Sequence, residues 1–309
     1  MEQTTDLEIS TEQAQHLLVR WLGTRPQCKG LTRLTGGMLN SVLRLEFDAD
    51  PYQVVVKMSS ADDADFDGER QRLDFLRAHT AMRCPQVHAV GAPDEVVPYH
   101  SLLLECLPGL PLTAVRLDDD ERRSLDRHLA DIVLELHSHG RATFGAPADP
   151  RGEDDWAEIV VARLRDMRDG MPGRLPDAVL ADIDTAVEMA PEAFRDQGEP
   201  CLIHGDLWAG NIMVEQTGGQ WQVTGFIDPG LYYADVENEL AYLQCFDTVG
   251  PAFFDVYTAH TPLRPGFENR RLYYWLNTMM IHVWLFGDTH YCRRAASLAA
   301  AIVETGVKP

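Results

Sequence analysis

A chain of 309 residues, 45% hydrophobic and 24% charged, is long enough to organise two cores and too apolar to remain disordered. Its 48 acidic side chains against 27 basic ones leave a net charge of −21, a field that repels phosphate backbones and anionic lipid, so neither nucleic acid nor membrane is expected as a partner. A nucleotide carried with its own metal ion stays compatible, because it needs only a local cradle.

No apolar run approaches the roughly 20 residues of a membrane span. The polar, acidic start MEQTTDLEIS has no signal-peptide pattern, and the six cysteines are scattered without a CxxC pair. A cytoplasmic protein with free thiols is the expectation.

The first element reads as a helix capped at Ser10 or Thr11, with Gln13 as capping-box partner and Leu17, Leu18, Trp21 and Leu22 on its apolar face. Strands follow at 31–34 and 42–47 around a turn holding Gly36 and Gly37, and a third, β-branched strand over 52–58 carries Lys57. A helix over about 69–78 and a strand over 101–106 precede Leu107-Pro108-Gly109-Leu110-Pro111, a break that divides a small strand-rich lobe, 1–106, from a larger helical lobe, 107–309. Helical periodicity then covers about 118–138, 156–168, 178–194 and several segments between 236 and 303. One hairpin interrupts it, with strands 212–216 and 220–226 around Thr217-Gly218-Gly219.

The chemistry concentrates in His204-Gly205-Asp206-Leu207-Trp208-Ala209-Gly210-Asn211 and Ile227-Asp228-Pro229. Folding the chain back at Gly218-Gly219 sets Asn211 across from about Phe226, so Asn211 and Asp228 share one end of the hairpin. Two hard oxygen ligands suit Mg²⁺, which completes its shell with water and phosphates. Asp206, five residues before Asn211, can orient an acceptor hydroxyl and take its proton. In the small lobe, Gly36 and Gly37 allow close approach of a phosphate, Lys57 can neutralise its oxygens, and Glu69 can hold Lys57 in place. The competing reading of Lys57 is an edge-strand residue that keeps a sheet soluble. It weakens because only Lys29, Lys57 and Lys308 are lysines, while arginine serves nearly everywhere else. No GxxxxGK[ST] is present, which excludes a P-loop, and no GxSxG, which removes one hydrolase class.

The chain resembles the fructosamine kinases, a branch of the aminoglycoside-phosphotransferase and protein-kinase-like superfamily. The likeness is carried by HGDLWAGN (204–211), IDPGLYY (227–233), ENELAYLQCFD (237–247), the stretch 251–274 and LFGDTHY (285–291). It implies an α+β, bilobal protein-kinase-like fold with a small antiparallel-sheet N-lobe and a mostly helical C-lobe. It also implies transfer of the ATP γ-phosphate to a sugar hydroxyl, most directly the 3-hydroxyl of a small-molecule or protein-bound ketoamine. On that likeness Asp206 is the catalytic base, Asn211 and Asp228 hold Mg²⁺, Lys57 contacts the nucleotide, and Glu69 positions Lys57. The backbone of Glu105-Cys106-Leu107 meets adenine, and Trp208 lies beside the acceptor. Family members commonly read YYGHRE where this chain has Tyr232-Tyr233-Ala234-Asp235-Val236-Glu237, and Asn-His-x-Asn where it has Ile281-His282-Val283-Trp284. Both stretches are expected near the acceptor, with Asp235 or Glu237 attracting its amine and His282 within the same pocket. An aminoglycoside or other natural-product acceptor is the neighbouring alternative, and a non-catalytic nucleotide-binding module the more distant one.

Two patterns imitate metal sites. Residues 63–74 space their aspartates like an EF-hand loop, but Arg70 and Asp74 stand where an apolar residue and a bidentate Glu belong, and a solvated loop entering a helix fits better. His137-Ser138-His139-Gly140 reads as a helix end. Tyr273, Tyr274, Trp275 and Trp284 read as core.

Overall fold

The computed structural model describes residues 7–34, 40–62 and 64–306. The backbone divides into two compact units: residues 1–116 with 210–229, and residues 117–209 with 230–309.

The first unit begins with α1 (Thr11–Leu22). Ser10 Oγ accepts from Gln13 N at 3.1 Å and Ser10 N donates to Gln13 Oε1 at 2.9 Å, the reciprocal capping box expected of this spacing. The helix covers a five-stranded antiparallel sheet in the order β1-β2-β3-β5-β4, comprising Cys28–Arg33, Ser41–Phe47, Gln53–Ser59, His100–Glu105 and Val87–Gly91 in that spatial order. Period-two alternation builds the core between them. Leu43, Leu45 and Phe47 of β2 and Val54, Val56 and Met58 of β3 turn to one face, where they meet Ala14, Leu17 and Leu18. Each such side chain contributes about 1.5–3 kcal/mol on burial.

Helix α2 (Phe66–His79) starts three residues earlier than its periodicity suggests, because Asp65 caps it through Gly68 N at 3.0 Å. That cap absorbs one aspartate of the EF-hand imitation, while Asp67 and Asp74 lie on α2 beside Arg70. A separate three-stranded sheet, β6-β8-β9, pairs Leu110–Pro111 with the hairpin Ile212–Thr217 and Gln220–Phe226. Gly109 needs its positive φ of 93° there, since a Cβ would stand 2.2 Å from the Val214 carbonyl oxygen.

The second unit is mostly helical: α3 (Asp119–His137), α4 (Trp156–Asp169), α5 (Asp177–Ala193), α6 (Glu237–Cys245), α7 (Pro251–His260), α8 (Phe267–Phe286) and α9 (Thr289–Gly306). Two short strands, β7 (Cys201–Ile203) and β10 (Tyr232–Ala234), pair antiparallel within it. Its core includes an aromatic cluster. Trp156 Nε1 donates to Tyr274 Oη at 2.8 Å, and the Phe194 ring meets Tyr273 and Tyr274 edge-on at 5.6 and 5.2 Å. Trp284 departs from the core expectation, being 40% exposed on α8. Among the described residues, no helix is long and apolar enough to cross a membrane.

Candidate active site

In the first unit the chemistry gathers around Lys57. Strand β3 is the middle of the five, with Lys57 opposite Val42 on one side and Leu102 on the other, so the edge-strand reading fails. The pleat that sends Val56 and Met58 toward α1 sends Lys57 to the opposite face. The residue is only 7% exposed, as is Glu69 on α2. Lys57 Nζ donates to both Glu69 oxygens, at 2.8 and 2.9 Å, and also to Asp228 Oδ1. Burial works against the ammonium charge, but the carboxylates of Asp228 and Glu69 outweigh it and raise the Lys57 pKa above its ordinary 10.5. Burial raises Glu69 as well, opposed by the charge of Lys57.

Asp228 and Asn211 reach this unit on the β8–β9 hairpin. Pairing runs from Thr217–Gln220 to Ile212–Phe226, with a bulge at Met213/Val214 that inserts one extra residue, Thr224, into β9. The bulge moves the register by one, so Ile227 rather than Phe226 stands across from Asn211, and Ile227 N donates to Asn211 O at 3.0 Å. Thr224 uses its displaced position to donate from Oγ1 to Pro108 O at 2.6 Å. Just beyond, Asp228 holds φ at 57°, a left-handed conformation that a non-glycine residue adopts only where its surroundings enforce it. Two contacts do so. Phe226 N donates to Arg83 O at 2.8 Å, and Arg72 Nε donates to Pro229 O at 3.0 Å.

The Asn211 carboxamide and the partly exposed Asp228 carboxylate are hard oxygen donors, a donor set that fits Mg²⁺. Glu105 ends β5, its carboxylate bound to Arg83 Nη2 at 2.7 Å and Gln86 N at 3.1 Å. Leu107 is buried, its side chain filling the space where Gly225 lacks a Cβ. Gly36 and Gly37 lie outside the described residues.

In the second unit the HGD loop is held from below by α6. Glu239 accepts His204 N at 3.1 Å on Oε2 and Gly205 N at 2.7 Å on Oε1. His137 Nε2 lies 3.0 Å from Glu239 Oε2, and its Nδ1 lies 2.7 Å from Tyr257 Oη. Burial would raise the Glu239 pKa, but the hydrogen bond and charge of His137 and the Gly205 N–H bring it below its ordinary value. Gly205 holds φ at 80°, and a Cβ there would stand 2.6 Å from Tyr232 Cε1. Asp206 N donates to His204 Nδ1 at 3.3 Å, Trp208 N donates to Asp206 O at 3.2 Å, and Tyr242 Oη donates to Asp206 Oδ1. The Trp208 side chain is half-buried. One 3₁₀ turn, Ala209–Asn211, carries the chain on to β8.

The expected acceptor carboxylates are corrected by burial. Asp235 and Glu237 are 0% and 1% exposed. Asp235 accepts Gly198 N at 2.9 Å and pairs with Arg264, while Glu237 takes a bidentate grip from Arg270 at 2.6 and 2.9 Å. Neither offers a charge to an amine, because each already balances an arginine. His282 is equally internal: its Nδ1 bonds Thr278 O at 2.8 Å, its ring lies among Phe246, Phe286 and Tyr291, and burial lowers its pKa.

Sequence reasoning took His137 only as part of a helix end and assigned no role to Glu239, Tyr242 or Tyr257. The available signal was the three-residue spacing of Glu239 and Tyr242, which puts both on one face of a helix.

Residues 10–305 match the family model described as fructosamine kinase. A probable ketoamine kinase of Staphylococcus aureus is 28% identical over 306 residues, covering 93% of this chain and 98% of that protein. Among solved structures, a Haemophilus somnus protein provisionally named fructosamine-3-kinase superposes with a TM-score of 0.74 at 19% identity, covering 94% of this chain and 96% of the other. The aminoglycoside phosphotransferase APH(4)-Ia gives 0.71 at 17% identity, covering 97% and 100%, and these two likenesses show the α+β, kinase-like fold. The chain belongs to the fructosamine kinase family and is an ATP-dependent kinase.

Proposed function

We propose that this kinase phosphorylates the 3-hydroxyl of a ketoamine, such as a fructosyl or ribulosyl amine on a small molecule or a protein. The observation that carries the reading is the family match over residues 10–305, joined to a relative matched over 98% of its length and named a probable ketoamine kinase. In this reading Lys57, fixed by Glu69, neutralises nucleotide phosphate oxygens, and the backbone at Glu105 and Leu107 meets adenine. Asn211 and Asp228 would hold Mg²⁺, which would offset charge on the transferring phosphoryl group. Asp206 orients the acceptor hydroxyl and takes its proton as the new O–P bond forms. The indole of Trp208 packs against the sugar or its linker.

The chemistry of the product supports O3 as the target. Loss of a C1 proton to the carbonyl at C2 gives an enaminol, which expels phosphate from C3. Hydrolysis of the resulting imine then frees the amine, so one phosphorylation suffices to undo the adduct.

The test is ATP turnover by the full chain with fructosyl-lysine, ribulosyl-lysine and a panel of aminoglycosides, the product being located by ³¹P NMR. Turnover with a ketoamine and phosphate on O3 is expected. Turnover with aminoglycosides and none with any ketoamine overturns the reading.

A further inference from the structure

Helix α6 touches the HGD loop twice from one face. At Glu239 it grips the backbone N–H groups of His204 and Gly205. Three residues on, at Tyr242, it reaches the side chain of the next residue, with Tyr242 Oη 2.5 Å from Asp206 Oδ1. The first contact fixes where the loop runs. The second fixes where the carboxylate points, which a backbone clamp cannot do.

The tyrosine has an aromatic neighbour. Its ring meets Phe246 edge-on at 5.0 Å and 62°, and Phe246 in turn lies 5.3 Å from the buried His282 ring. Burial first, then the neighbouring Asp206 charge, push the phenol pKa far above its ordinary 10, so the hydroxyl keeps its proton as a donor. A phenol–carboxylate bond of this kind is charge-assisted and stronger than a neutral one.

We propose that Tyr242 is a positioning residue for phosphoryl transfer, its hydroxyl holding the Asp206 carboxylate in the orientation that receives the acceptor proton. This rests on the assignment of Asp206 as base. General-base efficiency depends on the carboxylate meeting the hydroxyl at hydrogen-bond distance, and a misplacement of about 1 Å costs up to about a hundredfold. Tyr242 touches neither nucleotide nor metal ligand in this scheme, so its loss acts on turnover and spares nucleotide binding.

The experiment compares Tyr242→Phe, Phe246→Leu and Asp206→Asn with the unmodified full chain, using fructosyl-lysine and Mg-ATP. Tyr242→Phe, which removes only the oxygen, is expected to lower kcat at least about tenfold while the KM for ATP stays within twofold and the melting temperature is nearly unchanged. Phe246→Leu keeps the hydroxyl and is expected to cost less than threefold in kcat. A Tyr242→Phe kcat within twofold of the parent overturns the proposal. So does a kcat loss that tracks a fall in melting temperature, or a Phe246→Leu loss equal to that of Tyr242→Phe, since either assigns the effect to packing. Near-normal turnover in Asp206→Asn removes the base assignment itself, and the Tyr242 proposal with it. A crippled Asp206→Asn beside an unimpaired Tyr242→Phe sinks the Tyr242 proposal alone.

Discussion

The Lys57 cluster and the Glu239 cluster each hold a buried carboxylate in hydrogen bonds, yet they are built on opposite principles. Lys57, Glu69 and Asp228 are three formal charges from a strand, a helix and a post-hairpin turn, with two anions on one cation. Glu239 is an anion surrounded by donors that are mostly backbone N–H and imidazole groups. The first arrangement carries surplus charge and suits a site where phosphate and metal must be exchanged. The second has nothing to exchange and suits a site that must hold still. The contrast separates residues that act on charge from residues that act on geometry.

The sharpest way to break this contrast is at Asp206. Asp206→Asn is expected to lower kcat by about 10²–10⁴-fold with Mg-ATP affinity intact, because proton acceptance is lost and no phosphate contact goes with it. Asp228→Ala is expected to weaken Mg-ATP binding itself, read by calorimetry. Equal Mg-ATP affinity in both variants would erase the distinction.

Lys57→Ala comes next, with an expected loss of about a hundredfold in kcat/KM. Glu69→Ala should lose less, since Glu69 acts only through Lys57. A larger effect from Glu69→Ala in steady-state kinetics would reverse the order of dependence.

Glu239→Gln probes the still cluster. It keeps an acceptor for one N–H but puts an amide donor where a second acceptor stood, with an expected cost of about 1–3 kcal/mol, seen as a lower melting temperature at pH 7. The sign with pH follows from the depressed Glu239 pKa. The stability contributed by the ionised group is present above pH 4.5, the ordinary value, and is lost as pH falls through the lower folded value. The gap between parent and variant should therefore close on acidification below about pH 4.5, and a gap independent of pH would show that charge plays no part.

The smallest effect is expected at Trp284→Ala, about 1 kcal/mol or less because the residue is 40% exposed, against about 1–3 kcal/mol for Tyr274→Phe, which strands the Trp156 N–H. Thermal melts of the two decide it.

Legibility in the sequence followed the same division. Elements with a local cause were readable: the Ser10–Gln13 capping box, the alternation of β3 that isolates Lys57, and the Gly218-Gly219 turn that sets Asn211 near Asp228. The one-residue register error at Phe226 arose from a bulge, which leaves no periodicity signal. Strand β4 and the short β7 and β10 were missed because five, three and three residues are too few to show alternation. Asp235 and Glu237 misled for a different reason. A carboxylate letter says nothing of its partner, and Arg264 and Arg270 lie about thirty residues downstream. His137 read correctly as a helix end, but its bonds to Glu239 and Tyr257 join elements more than a hundred residues apart.

The grouping of residues 210–229 with 1–116 has a consequence for how the chain is made. A ribosome delivers α1, the five-stranded sheet and α2 early, but Leu110 and Pro111 have no strand to pair with until Val214 and Met213 emerge. Lys57 and Glu69 likewise wait for Asp228. Everything from 117 to 209 must leave the exit tunnel first, so the unit that begins first cannot close until residue 229 has emerged, and its closure is non-local and correspondingly slow. Cutting the gene after residue 116 would therefore yield a fragment whose three-stranded sheet has one strand. Supplying 210–229 in trans as a peptide, or splicing it directly behind 116, is the way to obtain that half of the protein alone.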